Sequence, residues 1–216
     1  MIDPNAHDRF VLHQRIRLVV NQYEFSVPAE GATDGEVVDA EPVGEDEPFC
    51  FVQQKRFKFK EDIGFFADDS KEQELLRIKA RKRFDPRATY DITGPGGVVI
   101  GTIRKVFGKS LLRSTFVLQD SAGGVEVSAR EKSLGKALFR RLIGFVPYVG
   151  GFADWLPIAY DFEFSTPDGR VIGENRRRRW RWRDVYDLDF TADPDHALDR
   201  RLVLAAAVGM DALMAR

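Results

Sequence analysis

Three stretches of this chain follow one plan, and that plan limits the fold more than any other feature. Tyr90-Asp91-Ile92 leads through Gly94-Pro95-Gly96-Gly97 into Val98-Val99-Ile100-Gly101 and ends at Arg104-Lys105. Phe116-Val117-Leu118 leads through Asp120-Ser121-Ala122-Gly123-Gly124 into Val125-Glu126-Val127 and ends at Arg130. Tyr160-Asp161-Phe162-Glu163-Phe164 leads through Pro167-Asp168-Gly169 into Val171-Ile172-Gly173 and ends at Arg176. Each is an aromatic-led strand, a glycine-bearing turn and a returning strand. Glycine supplies the positive φ that tight hairpin turns need. Consecutive hairpins predict an antiparallel meander rather than a parallel sheet. Phe10 to Val27 reads as one or two further strands, Phe49 to Val52 as another, and Arg56-Phe57-Lys58-Phe59-Lys60 alternates with period two. Ile63 to Phe66 and Leu75 to Ala80 continue the pattern.

Two segments depart from it. Ser133 to Leu142 predicts a short helix capped by Ser133. A last helix is expected to start near Pro194, with Asp193 or Asp195 as its cap, and to run towards Met214. From Leu202 to Met210 it has no charge on any side. A helix apolar all round is buried all round, and in an all-β chain the inside of a closed barrel can bury it. The reading is one mainly β domain, a closed antiparallel barrel around a hydrophobic C-terminal helix, over residues 10–216 with a tail at 1–9. Two insertions interrupt it. The loop 28–48 holds eight acids and no Lys or Arg, and the segment from about 131 to 157 mixes aromatics with Arg140 and Arg141.

The meander, the Lys55-Arg56-Phe57-Lys58-Phe59-Lys60 strand, and the ending Tyr186-Asp187-Leu188-Asp189-Phe190, Asp195, Leu198, Leu202-Val203-Leu204-Ala205 resemble LURP-one-related proteins. That resemblance implies the tubby C-terminal-like fold shared with phospholipid scramblases, a twelve-stranded barrel threaded by a hydrophobic helix. It implies no catalytic signature.

The residues themselves offer little catalytic chemistry. Gly108-Lys109-Ser110 resembles the end of a phosphate-binding loop, but the glycine that motif needs five positions earlier is Ile103. His7, His13 and His196 are too scattered for a zinc pattern. Cys50, the only cysteine, lies between Phe49 and Phe51 and reads as a buried small apolar residue. A lone cysteine and no secretory leader suit a reducing, cytoplasmic setting. Asp184, Asp187, Asp189, Asp193, Asp195 and Asp199 lack the glycine and spacing of a calcium loop and read as strand and helix-cap acids. No catalytic residue, metal or cofactor is assigned.

The candidate binding feature is Arg176-Arg177-Arg178-Arg179-Trp180-Arg181-Trp182-Arg183. On a strand, Trp180 and Trp182 share a face with Arg176 and Arg178, while Arg177, Arg179, Arg181 and Arg183 share the other. Guanidinium groups about 6–7 Å apart make a receptor for phosphate oxygens. The competing reading is a barrel strand whose tryptophans pack inside and whose arginines pair with acids. Trp favours membrane interfaces, and Phe145, Tyr148, Phe152 and Trp155 of the insertion are candidate partner or membrane contacts. The expected function is non-enzymatic binding of an anionic phospholipid headgroup or membrane surface, peripheral to the membrane. A protein-interaction scaffold docking through the aromatic insertion is the second reading, and scramblase-like activity the third. Near-zero net charge, −1, disfavours nucleic acid. The acidic loop, by its charge, is expected to cover the arginines.

Overall fold

The computed structural model describes residues 2–16, 20–28, 47–55, 62–81, 89–106, 114–121, 125–132, 161–178 and 184–214. The strands are β1 (Arg9–Ile16), β2 (Val20–Val27), β3 (Glu47–Lys55), β4 (Asp62–Phe66), β5 (Glu74–Ala80) and β6 (Thr89–Thr93). They continue with β7 (Val99–Val106), β8 (Thr115–Asp120), β9 (Glu126–Glu131), β10 (Phe162–Ser165), β11 (Val171–Arg177) and β12 (Asp184–Asp189). One α-helix, α1 (Arg200–Met214), follows. Every strand pairs antiparallel with its neighbours in sequence, and β12 returns to β1 with Leu12 opposite Tyr186, so the twelve strands close into a barrel.

The three hairpins expected from sequence are β6–β7, β8–β9 and β10–β11. Two of their turns need glycine: Gly96 and Gly97 have φ of 74° and 80°, and Gly169 has 89°. The alternation sends Phe25, Val52, Phe65, Ile78, Ile92 and Phe164 inward, where all are buried. The opposite faces carry Arg77, Lys79, Asp91, Arg104, Glu163 and Glu174, none of them buried. A barrel that crosses lipid with its strands needs an apolar outer band; these strands have a charged one. No helix among the described residues is long and apolar enough to cross a membrane.

Helix α1 fills the lumen. Leu202 to Met210 are buried apart from the glycine's lack of a side chain, and Leu202 lies against Gly101 of β7 while Gly209 faces Ile78 of β5 and Ile103 of β7. On its other side Ala207 lines a small pocket together with Leu12, Tyr23, Phe162 and Tyr186 from β1, β2, β10 and β12. The absence of charge between Leu202 and Met210 thus reflects a barrel wall on all sides.

The helix starts at Arg200, six residues later than the sequence suggests. Asp193 caps a preceding turn instead: its carboxylate accepts the backbone N–H groups of Ala197 and Leu198 at 3.0 and 3.2 Å. His196 sits at φ 49°, which no helix accommodates. Asp199 is the true cap, accepting the N–H of Arg201 at 2.8 Å. Between turn and helix, Arg200 is fully buried and reaches Asp193 at 2.7 Å and Asp8 at 2.6 Å. It also donates to the carbonyls of Leu198 and Asp193 and lies 5.3 Å from the Phe190 ring centre.

That ring sets a tight constraint on β11. A Cβ on Gly173 would lie 2.4 Å from Phe190 Cδ1, and Phe164 on one side and Arg200 on another hold the ring in place. Gly173→Ala is therefore expected to cost about 1–3 kcal/mol through overpacking, read as a lower midpoint in urea unfolding with an unchanged slope.

Candidate anion-binding rim

In an antiparallel meander, successive connections alternate between the two ends of the barrel. The strand ends at one rim are therefore joined by the connections 17–19, 56–61, 81–88, 107–114, 132–161 and 178–183, of which only 81, 114, 132, 161 and 178 are among the described residues. The strand ends at the other rim are joined by 28–46, 67–73, 94–98, 121–125 and 166–170, and residues 1–8 and the 190–199 link to α1 attach there; 29–46 and 122–124 lie outside the described residues. The first set contains eighteen Lys and Arg against four acids, Glu61, Asp85, Asp154 and Asp161. The second contains sixteen acids against two bases, Lys71 and Arg170. A net charge of −1 conceals this separation. Aromatics follow the bases: the first set has twelve, including all three tryptophans, and the second has Phe190 alone.

The arginine run begins at the basic rim. Arg177 pairs with Tyr186 in register, on the inward face, and is half-buried. Its backbone N–H donates to Asp161 Oδ1 at 3.1 Å. Arg176 takes the outward face opposite Asp187, and Arg178 reaches that same Asp187. Both have acidic partners. Arg176 Nη2 lies 2.5 Å from Glu174, which also receives Lys132 at 2.5 Å. Arg178 donates from Nε and Nη2 to Asp187, the shortest contact 2.6 Å. The side chains of Arg176 and Arg178 are 63% and 34% exposed, so these are surface pairs of about 0–1 kcal/mol, which an anion can displace. Arg179, Trp180, Arg181, Trp182 and Arg183 lie outside the described residues. So do Phe145, Tyr148, Phe152 and Trp155, and the helix expected over Ser133 to Leu142.

Below this rim the lumen turns polar. Gln14, Gln54 and Asn175, on β1, β3 and β11, are all buried. Tyr23 donates its hydroxyl to Gln54 Oε1 at 3.4 Å. A small pocket runs between α1 and the wall at this level, with Gln14, Asn175, Tyr186 and Ala207 among its lining.

The other candidate chemistry resolves into structure. Cys50 is buried on β3, and burial pushes its thiol pKa up to about 12, so it presents no thiolate near neutral pH. Four aspartates of the acidic C-terminal stretch have basic partners: Asp187 with Arg178, Asp189 with Arg9, Asp193 with Arg200 and Asp199 with Arg201. The acidic loop leaves β2 at Val27 and enters β3 at Glu47, strand ends at the rim opposite the arginine run, and residues 29–46 lie outside the described residues.

Reading the sequence for local runs picked out 176–183, Arg140 and Arg141 and the run 55–60, but did not join them to one another or to basic residues such as Arg83 and Lys109. The signal that finds them is non-local. It is the sorting of connections into odd and even once the strands are counted.

A family model described as LURP-one-related matches residues 50–211. The chain belongs to the LURP-one-related family. The match begins inside β3 and ends inside α1, and β1 and β2 lie before it. Those two strands close the LURP-one-related barrel here, because β12 pairs with β1 and β3 with β2. No curated protein and no solved structure matches the chain.

Proposed function

We propose that this LURP-one-related chain is a non-enzymatic module that docks its basic, aromatic-rich rim on an anionic phospholipid surface. The observation that carries the reading is that the connections joining strand ends at one end of the barrel hold, in sequence, most of the bases and aromatics of the connecting segments. Bases alone suit any polyanion. Bases interleaved with Trp and Phe suit a membrane interface, where cations meet lipid phosphates and amphipathic rings sit at headgroup depth. The acidic opposite end repels the same surface and so orients the barrel axis across it.

In this reading Arg176 to Arg183, with Trp180 and Trp182, supply headgroup contacts. Phe145, Tyr148, Phe152 and Trp155 supply interfacial contacts from the long β9–β10 connection. The protein then associates with the membrane peripherally. The test is co-sedimentation with phosphatidylcholine vesicles, with and without 30% phosphatidylserine, at two salt concentrations. Salt-sensitive binding to the anionic vesicles alone supports the reading. Equal recovery with both vesicles, or none with either from folded protein, overturns it and favours a protein partner.

The position of the acidic loop makes a separate prediction. Strand β2 has eight residues, so the rims stand about 20 Å apart along the axis once strand tilt is included. That is about two Debye lengths at 0.1 M salt. Deleting Gly31 to Gly44 is expected to leave vesicle affinity at that salt within about twofold of the parent, and to raise it at 0.01 M, where screening extends to about 30 Å. A large gain at 0.1 M would place the loop over the basic rim after all.

A further inference from the structure

Strand β11 carries a graded series on its inward face. Gly173 lies deepest, against the Phe190 ring. Asn175 follows, 4% exposed, and its Oδ1 has no hydrogen-bond partner. Arg177 comes last, at the rim. Successive inward positions are about 6–7 Å apart. The lumen pocket lies at the level of Asn175, with Gln14 at 7% exposure on one side and Phe162, Tyr186 and Ala207 around the rest. It leaves about 20 Å³ for the centre of a water-sized group, enough for one hydroxyl. Gln54, 5% exposed behind Tyr23, has an unpartnered Nε2 in the same layer.

A buried amide oxygen without a donor costs stability unless something supplies one. We propose that this pocket takes the hydroxyl-bearing end of a phosphate ester, with the hydroxyl on Asn175 and the phosphate at Arg177. The hydroxyl is both donor and acceptor, so it satisfies the Asn175 amide in either orientation. The phosphate then sits one inward position higher, at the basic rim, and the rest of the molecule leaves through the mouth. A phosphodiester lipid with a hydroxylated headgroup has this order of groups, with its chains pointing to the membrane. The inference rests on the membrane reading for the source of the ester, and the apolar remainder of the pocket excludes a second charge.

The test uses two vesicles of equal surface charge, one containing phosphatidylglycerol and one containing phosphatidylmethanol, whose headgroup has no hydroxyl. The parent is expected to bind the first about 3–10-fold more tightly, the worth of one neutral hydrogen bond. Asn175→Leu is expected to abolish the preference while leaving phosphatidylmethanol binding unchanged. Gln14→Leu serves the same purpose should the first variant fail to fold. Equal binding of the parent to both vesicles overturns the pocket and leaves the membrane reading standing. Binding to neither overturns the membrane reading. In that case calorimetry with free glycerol 3-phosphate decides the pocket: uptake by the parent and not by Asn175→Leu moves the same chemistry to a soluble ester, and no uptake overturns it.

Discussion

Arg200→Ala is expected to destabilise the protein by about 3–5 kcal/mol, the usual consequence of removing one partner of a buried ion pair. Arg200 and Asp193 have no exposed side-chain surface, so the variant leaves a carboxylate buried beside an empty space. It also frees the carbonyls of Leu198 and Asp193 and the contact with Asp8. These groups join the N-terminal lead, the β12 exit and the first turn of α1, so the effect should be global rather than a frayed end. Arg201→Ala provides the contrast. Its side chain is 36% exposed and its partner Asp199 remains partly solvated, so the loss should stay near the 0–1 kcal/mol of a surface pair. Urea unfolding of both variants measures the difference. The pH dependence has a definite sign. Burial pushes the Asp193 carboxyl up, but the Arg200 hydrogen bond and the N–H groups of Ala197 and Leu198 outweigh it and hold the pKa below the ordinary carboxylate value. The stability this provides is present in full above the unfolded value of about 3.9 and is lost as pH falls through the lower folded value. Acid should therefore narrow the gap between parent and Arg200→Ala, whereas a gap independent of pH down to 2 would mean the pair contributes no charge interaction.

The local features of this fold were legible because their causes are local. Gly96, Gly97 and Gly169 mark turns whose φ only glycine takes readily, and the uncharged run from Leu202 to Met210 marks a helix with no wet face. The start of α1 was misjudged because Asp193 and Pro194 have the composition of a helix start while the Asp193 carboxylate closes a turn, in contact with Arg200. Only the tertiary position of Arg200 shows which use prevails. The closing pair of strands was equally invisible, since Leu12 and Tyr186 are brought together by the whole circuit. Charge was the least legible property. The two sets of connections carry opposite charges that cancel, leaving the −1 of the remaining residues, and each set is gathered from connections far apart in sequence. Asn175 gave no signal at all, because one Asn in a strand gains meaning only from the pocket beside it.

The largest effect on function is expected from changing Arg177, Arg179, Arg181 and Arg183 together to alanine. Near an anionic leaflet each basic residue contributes about 1 kcal/mol, so four contribute about 4 kcal/mol, roughly a thousandfold in vesicle affinity. The loss should be greatest at low salt and shrink as screening rises. Net charge alone would predict the same loss wherever four bases are removed, and a matched control separates the two cases. Lys79, Arg104 and Arg130 lie on outward faces of the barrel wall and Arg170 lies at the acidic rim, so their joint replacement changes the net charge equally while leaving most of the basic rim intact. If docking is through the rim, the control keeps most of its affinity. If both variants fall together, the protein responds to bulk charge and the rim has no special part. Retention of binding by the rim variant at both salts would instead transfer the contact to the aromatic β9–β10 connection, where Phe145→Ser and Phe152→Ser should then remove it.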